Sequence, residues 1–69
     1  GGIYSSMQGM VIKLTVNIGD RVTKGSTIAV IEAMKMENDI QSEVDGIVKD
    51  IFIEPGDAVS AGDILMVIE

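Results

Sequence analysis

The segment EAMKME, residues 32–37, places one lysine between two methionines and two glutamates. The chain has no histidine and no cysteine, which excludes histidine acid–base chemistry, disulfide bonds and zinc sites. The sequence around Lys35 contains two glutamates, Glu32 and Glu37, and no neighbouring cation of the kind that activates a catalytic lysine. Such an amine is a poor nucleophile alone but a good acceptor for a group that another enzyme attaches. The residue types therefore favour a modification site over a catalytic lysine.

Length and composition indicate one small domain. The 69 residues are 46% hydrophobic, enough to form a core without disulfide bonds. The net charge of −6 argues against a nucleic-acid partner, which would need clustered lysine and arginine. With no apolar run of about 18 residues and no signal peptide, neither a membrane span nor direct membrane contact is expected. Because the chain begins Gly-Gly-Ile, we expect a processed product or an excised domain of a longer chain. Separately, we expect the isolated domain to be monomeric and to be located in the cytoplasm, or in the mitochondrial matrix if the source is eukaryotic.

An internal repeat organises the sequence. Residues 1–32 align without a gap with residues 38–69, at an offset of 37, and 11 of the 32 pairs are identical. Unrelated segments of ordinary composition would share about two. The identities include the glycines of two Gly-Asp dipeptides, at residues 19–20 and 56–57. Two copies within a single domain favour a closed fold with pseudo-twofold symmetry.

Apolar and polar residues alternate within each copy, which is typical of half-buried strands. Val11 and Lys49 break this alternation. The residues predicted to face inward are Met10, Ile12, Leu14, Val16 and Ile18 in the first copy and Ile47, Ile51 and Ile53 in the second. The predicted strands span about residues 2–5, 9–16, 21–23, 27–32, 36–41, 46–53, 58–60 and 64–68. Eight short strands separated by glycine-bearing turns predict an all-β barrel or sandwich.

Residues 33–37 belong to neither copy and join the two. Their helix propensity is high, but so short a piece cannot offset the cost of helix nucleation. We therefore predict a tight hairpin with Lys35 at or beside its tip. Symmetry relates this hairpin to the gap between Glu69 and Gly1, so the termini should lie together at the end opposite Lys35. An ordinary solvated lysine is the alternative, but it does not explain why the only unrepeated segment has this composition.

The stretch Glu-Ala-Met-Lys-Met-Glu-Asn, residues 32–38, resembles the attachment motif of biotinyl domains, the biotin carboxyl carrier modules of biotin-dependent carboxylases, decarboxylases and transcarboxylases. The resemblance covers essentially the whole chain, including the repeat and both Gly-Asp turns. It implies a flattened β-barrel, or barrel-sandwich hybrid, of two four-stranded antiparallel sheets with pseudo-twofold symmetry and the lysine hairpin at one end.

The resemblance also implies the chemistry. Lys35 would carry biotin in amide linkage, attached by a biotin protein ligase. The domain would itself be non-catalytic and would move an activated carboxyl group from a biotin carboxylase to a carboxyltransferase. Met34 and Met36 would present the lysine and pack the biotin arm at partner sites. The other motif residues that the ligase would recognise are Glu32, Ala33 and Glu37.

The sequence differs from the family pattern at residues 6–9, and its ungapped repeat indicates one subtype of the family. Residues 6–9, Ser-Met-Gln-Gly, stand where many members have the proline-bearing Ala-Pro-Met-Pro-Gly. Some members carry a thumb loop inside the first copy, and the ungapped repeat leaves no room for one. The thumbless type is therefore expected.

Two other functions fit parts of the sequence. A lipoyl domain would share the fold and a hairpin lysine. Its tip would resemble Asp-Lys-Ala, however, whereas Lys35 lies between two methionines. An unmodified barrel used for protein interaction, as in membrane-fusion adaptors, would not need a lysine there.

Residues 19–26 have the wrong order for a phosphate-binding loop. Four acids lack the spacing of a calcium loop and fit a solvated face better; they are Glu37, Asp39, Glu43 and Asp45.

Overall fold

A computed structural model describes all residues, 1–69, as eight strands in two four-stranded antiparallel sheets. The strands are β1 (Gly2–Tyr4), β2 (Gly9–Leu14), β3 (Arg21–Val22), β4 (Thr27–Ala33), β5 (Met36–Gln41), β6 (Gly46–Ile51), β7 (Ala58–Val59) and β8 (Ile64–Ile68). One sheet has the order β1-β8-β6-β3 and the other the order β5-β4-β2-β7. The predicted all-β architecture is confirmed. The structure has no helix of the length and apolarity that crossing a membrane requires.

Strand pairing repeats between the two sheets at the offset of the sequence repeat. Ala29 of β4 lies opposite Ile40 of β5. Its counterpart, Met66 of β8, lies opposite Ile3, the counterpart of Ile40. The pair β8–β1 is therefore the symmetry equivalent of the pair β4–β5, as the pseudo-twofold interpretation requires.

The chain termini occupy the position that corresponds to the hairpin. The amino group of Gly1 donates a hydrogen bond of 2.7 Å to the carbonyl of Ile68. The N–H of Ile68 donates one of 3.0 Å to the carbonyl of Gly1. The ends of the chain thus lie side by side, as predicted, in the sheet that does not contain the β4–β5 hairpin.

A β-bulge in β2 changes which residues face the core. The register of β2 against β4 shifts between Val11 and Lys13, so Ile12 is an extra residue in the strand. Strict alternation predicted that Met10 and Ile18 face inward and that Val11 is an exception. The prediction was wrong at these positions: Val11 is only 1% exposed, whereas Met10 is 48% and Ile18 62% exposed. One extra residue reverses the phase of alternation, which explains Met10 and Val11 on the near side of the bulge. Ile18 is exposed for a different reason, because it lies beyond the end of β2 in the turn that follows.

The same bulge occurs in the second copy, around Lys49 of β6. Ile47, Ile51 and Ile53 were predicted to face inward. Ile53 is buried, but Ile47 and Ile51 are only half-buried, and Val48 is fully buried beside the exposed Lys49. The charged residue that breaks the alternation is therefore the bulge residue, and the bulge turns it to solvent.

The core consists of two groups of six buried residues between the sheets. Leu14, Ile40 and Ile51 pack against both groups and join them. Tyr4 and Phe52 are more than half exposed, so aliphatic side chains and one methionine fill the interior. The first group is Ile3, Val22, Ile28, Val48, Met66 and Ile68, and the second is Val11, Ala29, Ile31, Ile53, Val59 and Leu65.

Glycines with left-handed backbone form the two repeated Gly-Asp turns. Gly19 has φ of 95° and Gly56 has φ of 96°. In the first turn the carboxylate of Asp20 accepts a hydrogen bond of 2.8 Å from the N–H of Asn17. A Cβ at Gly19 or Gly56 would meet no atom within 4 Å, so only the backbone conformation requires glycine there.

Replacing Gly19 with valine should destabilise the domain by about 1–2 kcal/mol, because a β-branched residue is strained in the left-handed region. Gly19→Asn is the matched control, since asparagine tolerates this conformation better and the site is open. Urea denaturation of both variants measures the difference. Equal stability of the valine variant and the parent would contradict the turn assignment.

Candidate functional site at the β4–β5 hairpin

The β4–β5 hairpin turns through only two residues. β4 ends at Ala33 and β5 begins at Met36, which leaves Met34 and Lys35 as the loop. Their φ angles are 53° and 65°. Positive φ at both loop positions is the requirement of a type I′ turn, whose twist matches that of the flanking strands. The predicted hairpin is present, with a turn narrower than residues 33–37.

The turn contains no glycine, although type I′ turns favour glycine and asparagine. A left-handed conformation costs an ordinary residue roughly 1–2 kcal/mol. Met34 and Lys35 both carry that cost. Such strain persists where surrounding structure determines the backbone, and it concentrates at functional sites. The contacts that hold the base of the turn therefore matter for the position of the lysine.

The tip of the hairpin projects from the barrel. Lys35 is exposed, and its neighbours Met34 and Met36 are 95% and 67% exposed. The other large apolar residues are less exposed than these two methionines, although Ile18, Tyr4 and Phe52 are also more than half exposed. An amine flanked by two uncovered thioethers has the geometry of a group offered to another molecule.

The remaining motif residues divide between the two faces of the hairpin. Glu32 lies directly opposite Glu37, and Ala33 lies opposite Met36. Because side chains alternate along a strand, the two carboxylates share one face and the apolar pair shares the other. Like charges directly opposite each other destabilise a strand pair. The glutamate pair therefore does not hold the hairpin together, and both carboxylates are exposed.

Asn38 closes the base of the hairpin. Its side-chain amide donates one hydrogen bond of 3.2 Å to the carbonyl of Ile31 on β4 and another of 3.1 Å to the carbonyl of Met36 on β5. The half-buried amide thus ties both strands together just before the turn. The sequence alone assigns Asn38 no role of its own. The signal for such a role is that an asparagine lies inside a predicted strand, where this residue type is rarely found.

Gly9 lets β2 approach the other side of this base. Met10 of β2 lies opposite Glu32 of β4. A Cβ at Gly9 would lie 2.3 Å from the carbonyl oxygen of Glu32 and 2.8 Å from Cγ2 of Ile31. No side chain fits at that distance, so glycine here serves a close backbone approach. Its repeat counterpart Gly46 meets the carbonyl of Glu69 in the same way, at 2.8 Å.

The surroundings of Lys35 contain no enclosed space for a substrate. The one surface pocket of the domain lies elsewhere. It is bounded by β1, β5 and the segments that follow them, and its lining residues are Ile3, Tyr4, Ser6, Met7, Asp39, Ile40, Gln41 and Glu43. A rigid small barrel that presents a single lysine on a two-residue tip belongs to the class of carriers to which a prosthetic group is attached covalently.

Comparison with known proteins specifies this class further. The family described as Biotin-requiring enzyme matches residues 2–68. The propionyl-CoA carboxylase alpha chain of Homo sapiens is 43% identical over 67 residues, which are 97% of this chain and 9% of that protein. The biotin carboxyl carrier protein of Streptococcus mutans is 42% identical over 62 residues, 90% of this chain and 48% of that protein. The urea carboxylase of Kluyveromyces lactis superposes with a TM-score of 0.94 at 36% identity, covering 100% of this chain and 6% of that one.

The chain belongs to the biotin-requiring enzyme family and is a biotinyl domain, whose cofactor is covalently attached biotin. It spans less than half the length of each relative described above. The relatives include both multidomain carboxylase chains and a separate carrier protein.

Replacing Asn38 with aspartate should loosen the hairpin. The substitution keeps the shape of the side chain but removes the two donated hydrogen bonds and sets a carboxylate against two carbonyl oxygens. Two bonds of about 0.5–1.5 kcal/mol each predict a loss of roughly 1–3 kcal/mol in the free energy of unfolding. Amide hydrogen exchange along β4 and β5 should accelerate as well.

Gln41→Glu is the matched control for this variant, because it makes the same amide-to-carboxylate change at an exposed position of the same strand. It should leave stability and exchange within experimental error of the parent. Equal behaviour of the Asn38→Asp and Gln41→Glu variants would show that the Asn38 amide does not hold the hairpin.

Proposed function

We propose that Lys35 is the residue that receives biotin from a biotin protein ligase, and that the domain moves an activated carboxyl group between a biotin carboxylase and a carboxyltransferase. The observation that carries the proposal is the position of Lys35 on an exposed two-residue turn in a member of this family. An amine there extends beyond both sheets, where an attached arm can enter the site of a second protein.

Exposure alone does not select this lysine, since all four lysines are exposed. Lys13 and Lys49 lie on strands, at or beside the bulges. Lys24 lies in a turn, and its own backbone N–H donates a hydrogen bond of 2.7 Å to the carboxylate of Asp45. Only Lys35 stands at the tip of a hairpin, and backbone conformation determines its direction.

The residues around Lys35 fit attachment of biotin. The lysine Nζ would form an amide bond with the carboxyl carbon of biotin that the ligase has activated with ATP. The bond from that carbon to the activating group would break, the activating group would leave, and the ammonium would give up two protons, so the domain would lose one positive charge. The thioethers of Met34 and Met36 supply flexible apolar contact at either side of the reacting amine, which suits binding to several partners in turn. When bound, biotin supplies the ring that carries the carboxyl group, and the protein supplies its position.

The motif residues away from the tip give the ligase two distinct faces to recognise. Glu32 and Glu37 present a pair of exposed carboxylates on one face, which favours a basic surface on the ligase. Ala33 is half-buried at the end of β4 on the opposite face, where a small side chain leaves the neighbouring Met36 uncovered.

The domain acts as a carrier and leaves catalysis to its partners. Lys35 adjoins no pocket, and no histidine or cysteine is present to transfer protons or form acyl intermediates. Bicarbonate activation and delivery to the acceptor then fall to the biotin carboxylase and carboxyltransferase. In this proposal the domain is a monomer. It is located with those enzymes, in the cytoplasm or the mitochondrial matrix.

Replacing Lys35 with arginine should abolish labelling while leaving the fold intact, because the side chain is exposed and arginine keeps the charge. Intact mass and a streptavidin blot after incubation with ligase, ATP and biotin measure the result. The parent should gain the mass of one biotinyl group. Lys24→Arg is the control and should be labelled like the parent. Biotin on the Lys35→Arg variant would overturn the assignment. A parent that gains no biotin, but gains a lipoyl group in a parallel incubation with lipoate ligase, ATP and lipoate, would favour a lipoyl domain. A parent that gains neither group would favour the unmodified barrel.

A further inference from the structure

The five methionines of the chain differ widely in their exposure to solvent. Met66 is fully buried in the core, and Met7 is half-buried. Met10 is 48% exposed, Met36 67% and Met34 95%. The two most exposed methionines are therefore the two that flank Lys35. A single domain thus contains a graded set of sulfur atoms, with its most accessible members at the candidate attachment site.

We propose that Met34 and Met36 are sites of reversible oxidation, and that their sulfoxides suppress loading of the domain with biotin. The effect on loading rests on the proposed function of Lys35. In the oxidation step a peroxide transfers one oxygen atom to the thioether sulfur. The O–O bond breaks, an S–O bond forms, the sulfur loses two electrons, and hydrogen peroxide leaves as water. A thiol-dependent sulfoxide reductase restores the thioether: two thiols supply two electrons and two protons and become a disulfide, the S–O bond breaks, and the oxygen leaves as water.

The turn geometry keeps these sulfur atoms accessible. Met34 lies in the two-residue loop at the tip, away from the core, and is 95% exposed. Met36 is the first residue of edge strand β5 and lies opposite the small Ala33. Neither methionine belongs to the buried groups that form the core. Oxidation at the tip should therefore leave the barrel folded, whereas oxidation of Met66 would require the barrel to open.

The sulfoxide changes what the tip presents to a partner. A thioether is apolar and flexible, whereas a sulfoxide is polar and accepts hydrogen bonds. A ligase surface that packs against apolar flanks of the lysine would have to desolvate two sulfoxide oxygens without compensation. Burial of an uncompensated polar group lowers binding severalfold or more, so we expect the labelling rate to fall by about tenfold.

The experiment treats the folded, unmodified domain with hydrogen peroxide and removes the peroxide with catalase before any ligase is added. Peptide mapping by mass spectrometry then gives the extent of oxidation at each methionine. Oxidation should be fastest at Met34, followed by Met36 and then Met10, with Met66 protected. Circular dichroism should be unchanged. The initial rate of biotin attachment should fall about tenfold, and methionine sulfoxide reductase with dithiothreitol should restore it.

Two double variants locate the effect. Met7→Leu with Met10→Leu removes the oxidisable sites outside the hairpin, so peroxide should still slow labelling. Met34→Leu with Met36→Leu removes the sites at the tip, so the ratio of treated to untreated labelling rates should be near unity, whatever the untreated rate is. Equal sensitivity of the two double variants would overturn the proposal.

Three other outcomes would contradict the proposal or the proposed function on which it rests. Met66 oxidised as fast as Met34 in the folded domain, or an oxidised tip that is labelled at the parent rate, would each contradict the proposal. An untreated domain that accepts no biotin would overturn the proposed function of Lys35 and the effect on loading with it. The peptide map tests selective oxidation of the tip independently of any ligase.

Discussion

The position of the candidate attachment lysine depends on one strained element, a two-residue turn in which Met34 and Lys35 both have left-handed backbone. Neither residue favours that conformation, so the turn requires support from the strands below it. The Asn38 amide supplies part of this support by bonding carbonyls on both strands. β2 supplies another part from the side, where Gly9 allows its backbone to approach Glu32. The strain of the tip is thus balanced by contacts that also determine where the lysine points.

The internal repeat explains how so small a domain can hold this turn. Each copy forms one bulged central strand, two glycine-bearing turns and half of the core, so the same local structure is used twice. The two copies differ at one place along the chain. The first copy continues through the turn into the second, whereas the equivalent strand pair joins the two termini by hydrogen bonds. The hairpin tip is therefore the single feature that the symmetry leaves free to carry a specific function.

Much of this arrangement could be predicted from the sequence, because the repeat and the glycine turns report on backbone geometry directly. The number and order of strands, the neighbouring termini and the positive φ of Gly19 and Gly56 all follow from them. The inward faces of β2 and β6 were partly mispredicted, because the breaks in alternation at Val11 and Lys49 do not by themselves show that each strand contains one extra residue. The side-chain bonds of Asn38 were missed because they depend on the spacing of two strands, which the sequence does not contain.

We propose that hairpin geometry, and not composition, makes Lys35 the acceptor of biotin. Exchange of the two turn residues, Met34→Lys with Lys35→Met, tests it most directly. Both positions have similar φ, so the exchange should preserve the fold, the net charge and the strain of the turn. The amine moves by one residue, about 3.8 Å along the backbone. Misplacement of a reacting group by about 1 Å can cost roughly 100-fold in rate. At matched circular dichroism and melting temperature, the ligase should label the exchanged variant at least about 100-fold more slowly than the parent. Labelling of both at the same rate would contradict the claim.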